Sequence, residues 1–269
     1  MTDHAASVEK WRAARYGRLR QPVGWLTLAG LDWLAEGTNR LGSDLSNDVI
    51  LPAGPAVAGT FTVHGNRAVA DGDFTHDGRS VHDLPLVDDG AGQPTLLELG
   101  PLRLCLIQRG GRLAVRTWDT EAPRRRSFQG IDHWPVDPRW CLTARFVPTP
   151  GARIEVPDVL GANEAEPSPG AVEFEVDGVM HRLQALEGGP NGELWLVFGD
   201  ATNGAETYGG GRYLYTPPPE ADGTVVVDFN MAYNPPCVFT PYATCTLPWR
   251  ANRLQIRIEA GERSYGEHG

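Results

Sequence analysis

Short runs of alternating apolar and polar residues, separated by glycine and proline, restrict most strongly what this sequence can fold into. The 32 glycines and 22 prolines are spread along 269 residues without a period, which indicates short elements and many turns and excludes collagen-like folding. Residues 59–70 alternate on both sides of Gly65-Asn66, as in a β-hairpin. Asp177-Gly178 predicts a second hairpin, and residues 254–258 predict a further strand. The pattern predicts a mainly β protein.

One N-terminal helix and two β parts are expected. Apolar residues at helical spacing predict a helix within residues 5–19, so residues 1–23 are assigned to this helix and its linker. Residues 24–110 carry the turn-rich pattern of a β-sandwich. Residues 111–269 continue the strand series, with a flexible loop expected at the polar residues 163–170. We expect the two β parts to pack against each other, as two domains or as one continuous domain.

Composition limits the classes of partner. The net charge is -10, and non-specific binding to nucleic acid would require clustered Lys and Arg. No run approaches the length of an apolar membrane span, and the first residues lack the pattern of a signal peptide. These features predict a cytoplasmic protein that binds neither nucleic acid nor membranes, and they leave the oligomeric state open.

A glycine-rich segment, residues 200–213, follows a predicted strand and carries candidate site residues. Its three consecutive glycines allow backbone amides to approach an anion, and Arg212 beside them can hold a carboxylate or phosphate through two hydrogen bonds. Tyr208 adds a phenol. The alternative is a structural loop in which Arg212 pairs with an acid such as Asp228. The spacing matches neither a Walker A loop nor a dinucleotide fingerprint.

A second polar group comes at the end of the next predicted strand. Asp228 and Asn230 differ by two positions and therefore share a face of that strand. Tyr233 and Asn234 follow in a proline-rich loop. A carboxylate, two amides and a phenol can orient a substrate or take up a proton. The alternative is that Asp228 and Asn234 only cap the turn.

The same loop contains two of the four cysteines. Cys237 and Cys245 lie eight residues apart, without a CxxC spacing or a nearby histidine, so the pattern favours no metal site and no cofactor. Cys237 as a nucleophile with a distant histidine, a redox pair with Cys245, and inert packed thiols all stay open. The chain also lacks GxSxG and HExxH motifs, which removes the commonest hydrolase and metallopeptidase signals.

A run of arginines, residues 124–126, stands out in an acidic chain. It could steer an anionic substrate, and Arg116 on the preceding predicted strand could reach the same loop. The alternative is a solvated charged face.

Several of these motifs together resemble the bacterial and archaeal DUF1684 family. They are residues 24–34, 47–52, 208–214, 228–237, 245–248 and 252–254. The resemblance covers nearly the whole chain, and because the function of the family is unknown it implies membership without an activity. Thr246 and Trp249 replace two prolines of the family's Cys-Pro-Leu-Pro-Pro pattern. Residues 37–51 also resemble the opening of a forkhead-associated (FHA) β-sandwich, although Ser43 stands where those modules carry a phosphate-binding arginine.

The sequence therefore predicts an enzyme that acts on a small anionic molecule by acid–base chemistry. The residues expected to carry the chemistry are Asp228, Tyr208, Tyr233 and Cys237. The residues expected to bind the substrate are Arg212, Asn230, Asn234, Arg116 and Arg126. The alternative is a small-molecule or protein-binding module derived from an FHA-like sandwich, without catalysis.

Overall fold

A computed structural model describes residues 3–266 of the chain. The described residues form two compact units: unit 1 contains residues 3–16, 129–239 and 244–266, and unit 2 contains residues 17–128 and 240–243. Strands dominate both units, so the prediction of a mainly β protein with an N-terminal helix is confirmed. The division into residues 24–110 and 111–269 stays a prediction, as does the FHA-like topology.

Helix α1, Asp3–Leu19, begins the described chain. Asp3 lies in its first turn and Arg18 in its last, which suits the helix dipole at both ends. Val8, Arg15 and Leu19 recur at helical spacing and are buried. A second, short helix, α2, spans Pro123–Ser127. Neither helix is long and apolar enough to cross a bilayer, and the same holds for every helix within residues 3–266.

Unit 2 contains a nine-stranded sheet with the order β1-β9-β8-β7-β5-β4-β2-β3, in which β6 also pairs with β5. Its strands are β1 Leu28–Trp33, β2 Gly37–Gly42, β3 Val49–Ile50, β4 Gly59–His64, β5 Arg67–His76, β6 Arg79–Leu86, β7 Leu97–Leu99, β8 Leu102–Arg109 and β9 Arg112–Asp119. His64 pairs with Arg67, so the hairpin predicted at Gly65-Asn66 is confirmed. The core contains the rings of Phe61 and Phe74, 5.7 Å apart.

Unit 1 contains a six-stranded antiparallel sheet with the order β14-β13-β12-β11-β10-β15. Its strands are β10 Cys141–Pro157, β11 Asn163–Val176, β12 Val179–Glu187, β13 Leu194–Phe198, β14 Arg212–Thr216 and β15 Thr224–Asp228. The two edge strands, β14 and β15, contact each other, which shows that the sheet is curled. Phe229 lies in the interior, with ring centroids 5.5 Å from Phe174 and 5.3 Å from Phe198. The hairpin predicted at Asp177-Gly178 is confirmed.

In two segments of unit 1 the structure differs from the sequence-based prediction. Residues 163–170, expected to form a flexible loop, belong to β11, because they pair with the outer half of β10 in a long hairpin. Residues 254–258, expected to form a strand, are irregular. Leu254 and Ile258 are buried as the alternation requires, but the backbone of Ile258 binds the side chains of Arg212 and Asp200 instead of a neighbouring strand.

Candidate functional site

Arg212 lies in the interior of unit 1. Its guanidinium forms an ion pair with Asp200, with Nη2 2.7 Å from Oδ2, and both side chains are fully buried. It also donates to the backbone oxygens of Ile258, at 2.9 Å, and Ala260. Burial lowers the pKa of Arg212, and the Asp200 carboxylate opposes that shift. The sequence offered a structural ion pair as the alternative, with Asp228 as an example of the acid, and the acid that pairs with Arg212 is Asp200.

Two glycines of the glycine-rich segment, Gly210 and Gly211, leave room for neighbouring side chains. A Cβ on Gly210 would lie 2.4 Å from Cε1 of Tyr208, and a Cβ on Gly211 would lie 2.4 Å from Cγ of Pro248. Gly211 also has φ of +88°, a conformation that glycine adopts at little cost. The segment therefore allows Tyr208 to fold over its own loop and Pro248 to pack against it, which are not the contacts of an anion cradle.

Tyr208 and Cys237, both predicted site residues, do come together. With Tyr213 and Cys245 they form a group that we call the thiol cluster. The Tyr208 hydroxyl and the Cys237 thiol are close enough for each to shift the pKa of the other, and the backbone N–H of Cys237 donates to Sγ of Cys245 at 3.0 Å. A 3₁₀ turn at Pro236–Val238 presents Cys237. Cys237 is half-buried, and Cys245 is buried.

The two thiols of the cluster differ in acidity. Hydrogen bonds from Cys245 and then Tyr208 lower the pKa of Cys237 below its ordinary value of 9.0. Burial and the neighbouring Cys237 raise the pKa of Cys245, and burial raises that of Tyr208. Cys237 is therefore the group of this cluster that ionises first, flanked by two groups that keep their protons.

Tyr233 and Asn234 belong to a neighbouring structural group. The Tyr233 ring stacks on Tyr215, with centroids 6.2 Å apart, and the Arg15 guanidinium lies 4.5 Å from its centroid. Arg15 forms a buried ion pair with Glu262, with Nε 2.7 Å from Oε1. The backbone N–H of Asn234 donates to Oε2 of Glu262 at 2.7 Å. Burial raises the pKa of Tyr233. Both predicted residues thus help to hold helix α1 within unit 1.

Asp228 and Asn230 are in direct contact, although β15 ends at Asp228 and Asn230 lies in a 3₁₀ turn instead of sharing a face of the strand. Oδ1 of Asp228 accepts from the backbone N–H and the side-chain Nδ2 of Asn230, at 3.0 and 2.8 Å. This is the capping alternative considered for Asp228, and it is confirmed. The side chain of Asn230 also exchanges two hydrogen bonds with the backbone of Asp137, both 2.9 Å long. Asp228 is thereby fixed through one oxygen, and the other is left for a further partner.

That further partner comes from residues that the sequence analysis missed. Nε2 of His4, in the first turn of α1, lies 2.8 Å from Oδ2 of Asp228. Cys141 stands directly opposite Asp228 in the β10–β15 ladder, and burial and the Asp228 charge raise the pKa of its thiol. We call His4, Cys141 and Asp228 the α1 cluster. Nothing in the sequence pattern indicates it, because its members come from three distant segments.

The predicted site residues of unit 1 therefore fall into separate groups. The α1 cluster contains His4, whereas Trp11, seven residues later on α1, lies 6.2 Å from Tyr233. A helix rises ~1.5 Å per residue, which places His4 and Trp11 ~10 Å apart along the axis. Asp228 therefore lies near the start of α1, beside His4, and Tyr233 lies further along the helix, beside Trp11.

Unit 1 also has a cleft of about 560 Å³. Trp134, Asp137, Arg139 and Trp140 contribute to its lining, and none of the predicted site residues does so among the described part of the chain. Arg139 in this cleft forms an ion pair with Asp177, with Nη2 2.6 Å from Oδ2.

Arg116 and Arg126 both belong to unit 2. Arg116, on β9, is buried, with its guanidinium 5.7 Å from the Trp25 ring. Arg126, on α2, is exposed and lies 3.4 Å from Glu121. The other two arginines of the run, residues 124 and 125, donate to backbone oxygens of unit 2. Part of the charged run therefore stabilises unit 2, and Arg126 is solvated.

Comparison with known proteins places this chain in a family. The family described as "Protein of unknown function (DUF1684)" matches residues 126–263, just over half of the 269 residues. The chain belongs to the DUF1684 family. The DUF1684 region includes the whole thiol cluster and, of the α1 cluster, Cys141 and Asp228. The solution NMR structure of an uncharacterized protein of Haloarcula marismortui is similar at 28% identity and a TM-score of 0.44, over 54% of this chain and 82% of that one. No curated protein matches this DUF1684 chain.

Proposed function

We propose that this DUF1684 protein is an enzyme that acts on a small molecule by acid–base chemistry, with Cys237 as the reacting group. One observation carries the proposal. Cys237 is a half-buried thiol whose pKa is lowered by hydrogen bonds from two neighbouring side chains, Cys245 and Tyr208. Thiols with lowered pKa values and partial exposure are typical of reactive cysteines, whereas packed thiols are inert.

The thiol cluster supplies the groups that a proton transfer needs. Cys237 as a thiolate can accept a proton from a substrate. The Tyr208 hydroxyl keeps its own proton, because burial raises its pKa, and so remains a donor to that thiolate. Cys245 is a second donor of the same kind.

The anionic nature of the substrate stays a prediction. Arg212, which was expected to bind the anion, has its guanidinium engaged by Asp200 and backbone oxygens. Arg15 lies beside Tyr233 and is paired with Glu262. The expected cytoplasmic location and the absence of nucleic-acid binding likewise stay predictions.

Two measurements on the full chain test the proposal. The first is the rate of alkylation of each cysteine by iodoacetamide against pH, read by mass spectrometry. Cys237 should react with a midpoint below 9.0, and Tyr208→Phe should raise that midpoint, because it removes one hydrogen bond to the thiolate. Cys105 is the internal control, since burial raises its pKa to about 12.

The second measurement is turnover of a pool of small metabolites. Cys237→Ser should abolish it, and Tyr208→Phe should reduce it by up to the ~10²–10⁴-fold that a positioned acid–base group contributes. The matched control Cys105→Ser should leave it unchanged. Turnover that survives Cys237→Ser would refute the proposal, and binding without turnover would favour the binding module.

A further inference from the structure

We propose that the α1 cluster, His4, Cys141 and Asp228, is a binding site for one divalent transition-metal ion, and that zinc suits it best. This inference is independent of the function proposed for the thiol cluster. It rests on the positions of the three donor atoms, on the residues that hold them and on the chemistry of the set.

The three donor atoms converge on one point of unit 1. A histidine nitrogen, a cysteine sulfur and a carboxylate oxygen, one from each residue, all lie within 4.8 Å of one another. Residues directly opposite in an antiparallel ladder project from the same face with Cβ atoms ~4.5–5.5 Å apart. Cys141 and Asp228 are such a pair. Helix α1 then brings His4 to their open side, with Nε2 2.8 Å from Oδ2.

The surrounding residues orient the carboxylate as in a metal site. Oδ1 of Asp228 is held by two donors of Asn230, and Asn230 is fixed in turn by two hydrogen bonds to the backbone of Asp137. Oδ2 is therefore aimed at His4 and Cys141. Metal-ligating carboxylates are commonly held in this way by hydrogen bonds from an outer shell of residues.

The donor set selects the class of ion. A thiolate with an imidazole favours zinc and other transition metals over magnesium and calcium, which prefer oxygen ligands. Three protein ligands leave one position of a tetrahedral zinc ion open to water or a substrate, as in catalytic sites. The side chains of His4 and Asp228 are 26% and 10% exposed, so the position is within reach of solvent without lying on the surface.

The competing explanation is that His4 and Asp228 form only an ion pair that holds α1 against the sheet. In that case Cys141 has no part in the contact beyond packing. The two explanations differ in whether a metal binds and in whether the thiol of Cys141 is a ligand.

The test uses the full chain, stripped with a chelator and then titrated with Zn²⁺ alone and with Co²⁺ alone. We expect one equivalent of zinc to stay bound after dialysis, measured by elemental analysis. Cobalt should produce a near-ultraviolet thiolate-to-metal charge-transfer band, which an ion pair cannot produce. Cys141→Ser should abolish that band. It should also weaken zinc binding by more than the ~10–100-fold typical of changes to outer-shell residues.

Matched variants identify the site. Cys237→Ser, a change of the same chemistry in the thiol cluster, should keep the zinc and the cobalt band. His4→Gln, on the first turn of α1, should weaken binding without loss of the circular dichroism of the sheet, and it decides the question if Cys141→Ser does not fold. The proposal is overturned if no stoichiometric metal binds, if the band survives Cys141→Ser, or if Cys237→Ser removes it. In each of these outcomes the turnover test of Cys237 still stands, because it uses a different cluster.

Discussion

Arg212 is predicted to stabilise unit 1 and not to bind a ligand. We consider Arg212→Met, which removes the guanidinium and keeps much of the side-chain volume. The change leaves the fully buried Asp200 carboxylate without its cation. It also leaves the backbone oxygens of Ile258 and Ala260 without these donors, and it removes the contact of the guanidinium with Phe198, 5.3 Å from the ring centroid.

The magnitude follows from these losses. Removing one partner of a buried ion pair costs ~3–5 kcal/mol, and an unsatisfied buried carbonyl costs ~1–3 kcal/mol. Asp200 keeps three other donors, the N–H and hydroxyl of Thr202 and the N–H of Ile258, which reduce its share of the loss. We therefore expect the free energy of unfolding of unit 1 to fall by ~3–5 kcal/mol.

The assay is equilibrium unfolding in urea, with hydrogen exchange of β13 and β14 to separate unit 1 from unit 2. Arg126→Met is the matched control, since Arg126 and its partner Glu121 are 67% and 68% exposed, and we expect a change within ~0.5 kcal/mol. The reasoning is refuted if Arg212→Met costs less than ~1 kcal/mol, well below the usual cost of a broken buried pair. If Arg212→Met were fully stable but lost turnover, the result would support the predicted role of Arg212 in substrate binding.

Three further predictions test the local structure. Gly211→Ala should lower the melting temperature more than Gly204→Ala does. Both glycines have positive φ, which costs ~1–2 kcal/mol for alanine, but only the new Cβ at Gly211 would collide with Pro248; equal effects would contradict this. Burial lowers the pKa of His133 below 6.5, so the unfolded chain takes up this proton first and stability should fall as pH decreases through 6.5. His133→Gln should make the urea midpoint less dependent on pH there, and an unchanged dependence would argue against this role. Asn252→Ala removes three hydrogen bonds to the backbone of β12 and β13 and should cost at least ~2 kcal/mol by chemical denaturation, because buried polar groups lose their partners; a loss near zero would show that water replaces the side chain.

Local pattern was sufficient for those elements of the fold whose partners are adjacent in sequence. The hairpins at Gly65-Asn66 and Asp177-Gly178 were predicted because a turn and its flanking strands are adjacent in sequence. The same locality explains the contact between Asp228 and Asn230 and the capping alternative that proved correct for Asp228.

Local pattern failed where a backbone or side chain is satisfied by a distant segment. The residues 254–258 alternate like a strand, yet the donors and acceptors of Ile258 bind Arg212 and Asp200. Arg212 was expected to bind a ligand because it follows three glycines. Its burial could not be predicted from that pattern. Its actual partner lies twelve residues before it, in the turn that follows β13.

The sequence by itself determined that the chain is mainly β and where two of its hairpins turn, and it predicted a site that includes Tyr208, Asp228 and Cys237. Only the tertiary structure decided which of these meet. The ladder between β10 and β15 sets Cys141 opposite Asp228, and α1 adds His4 from 224 residues away in the chain. Side-chain periodicity reports which face a residue occupies, but it carries no information on which strand or helix will cover that face.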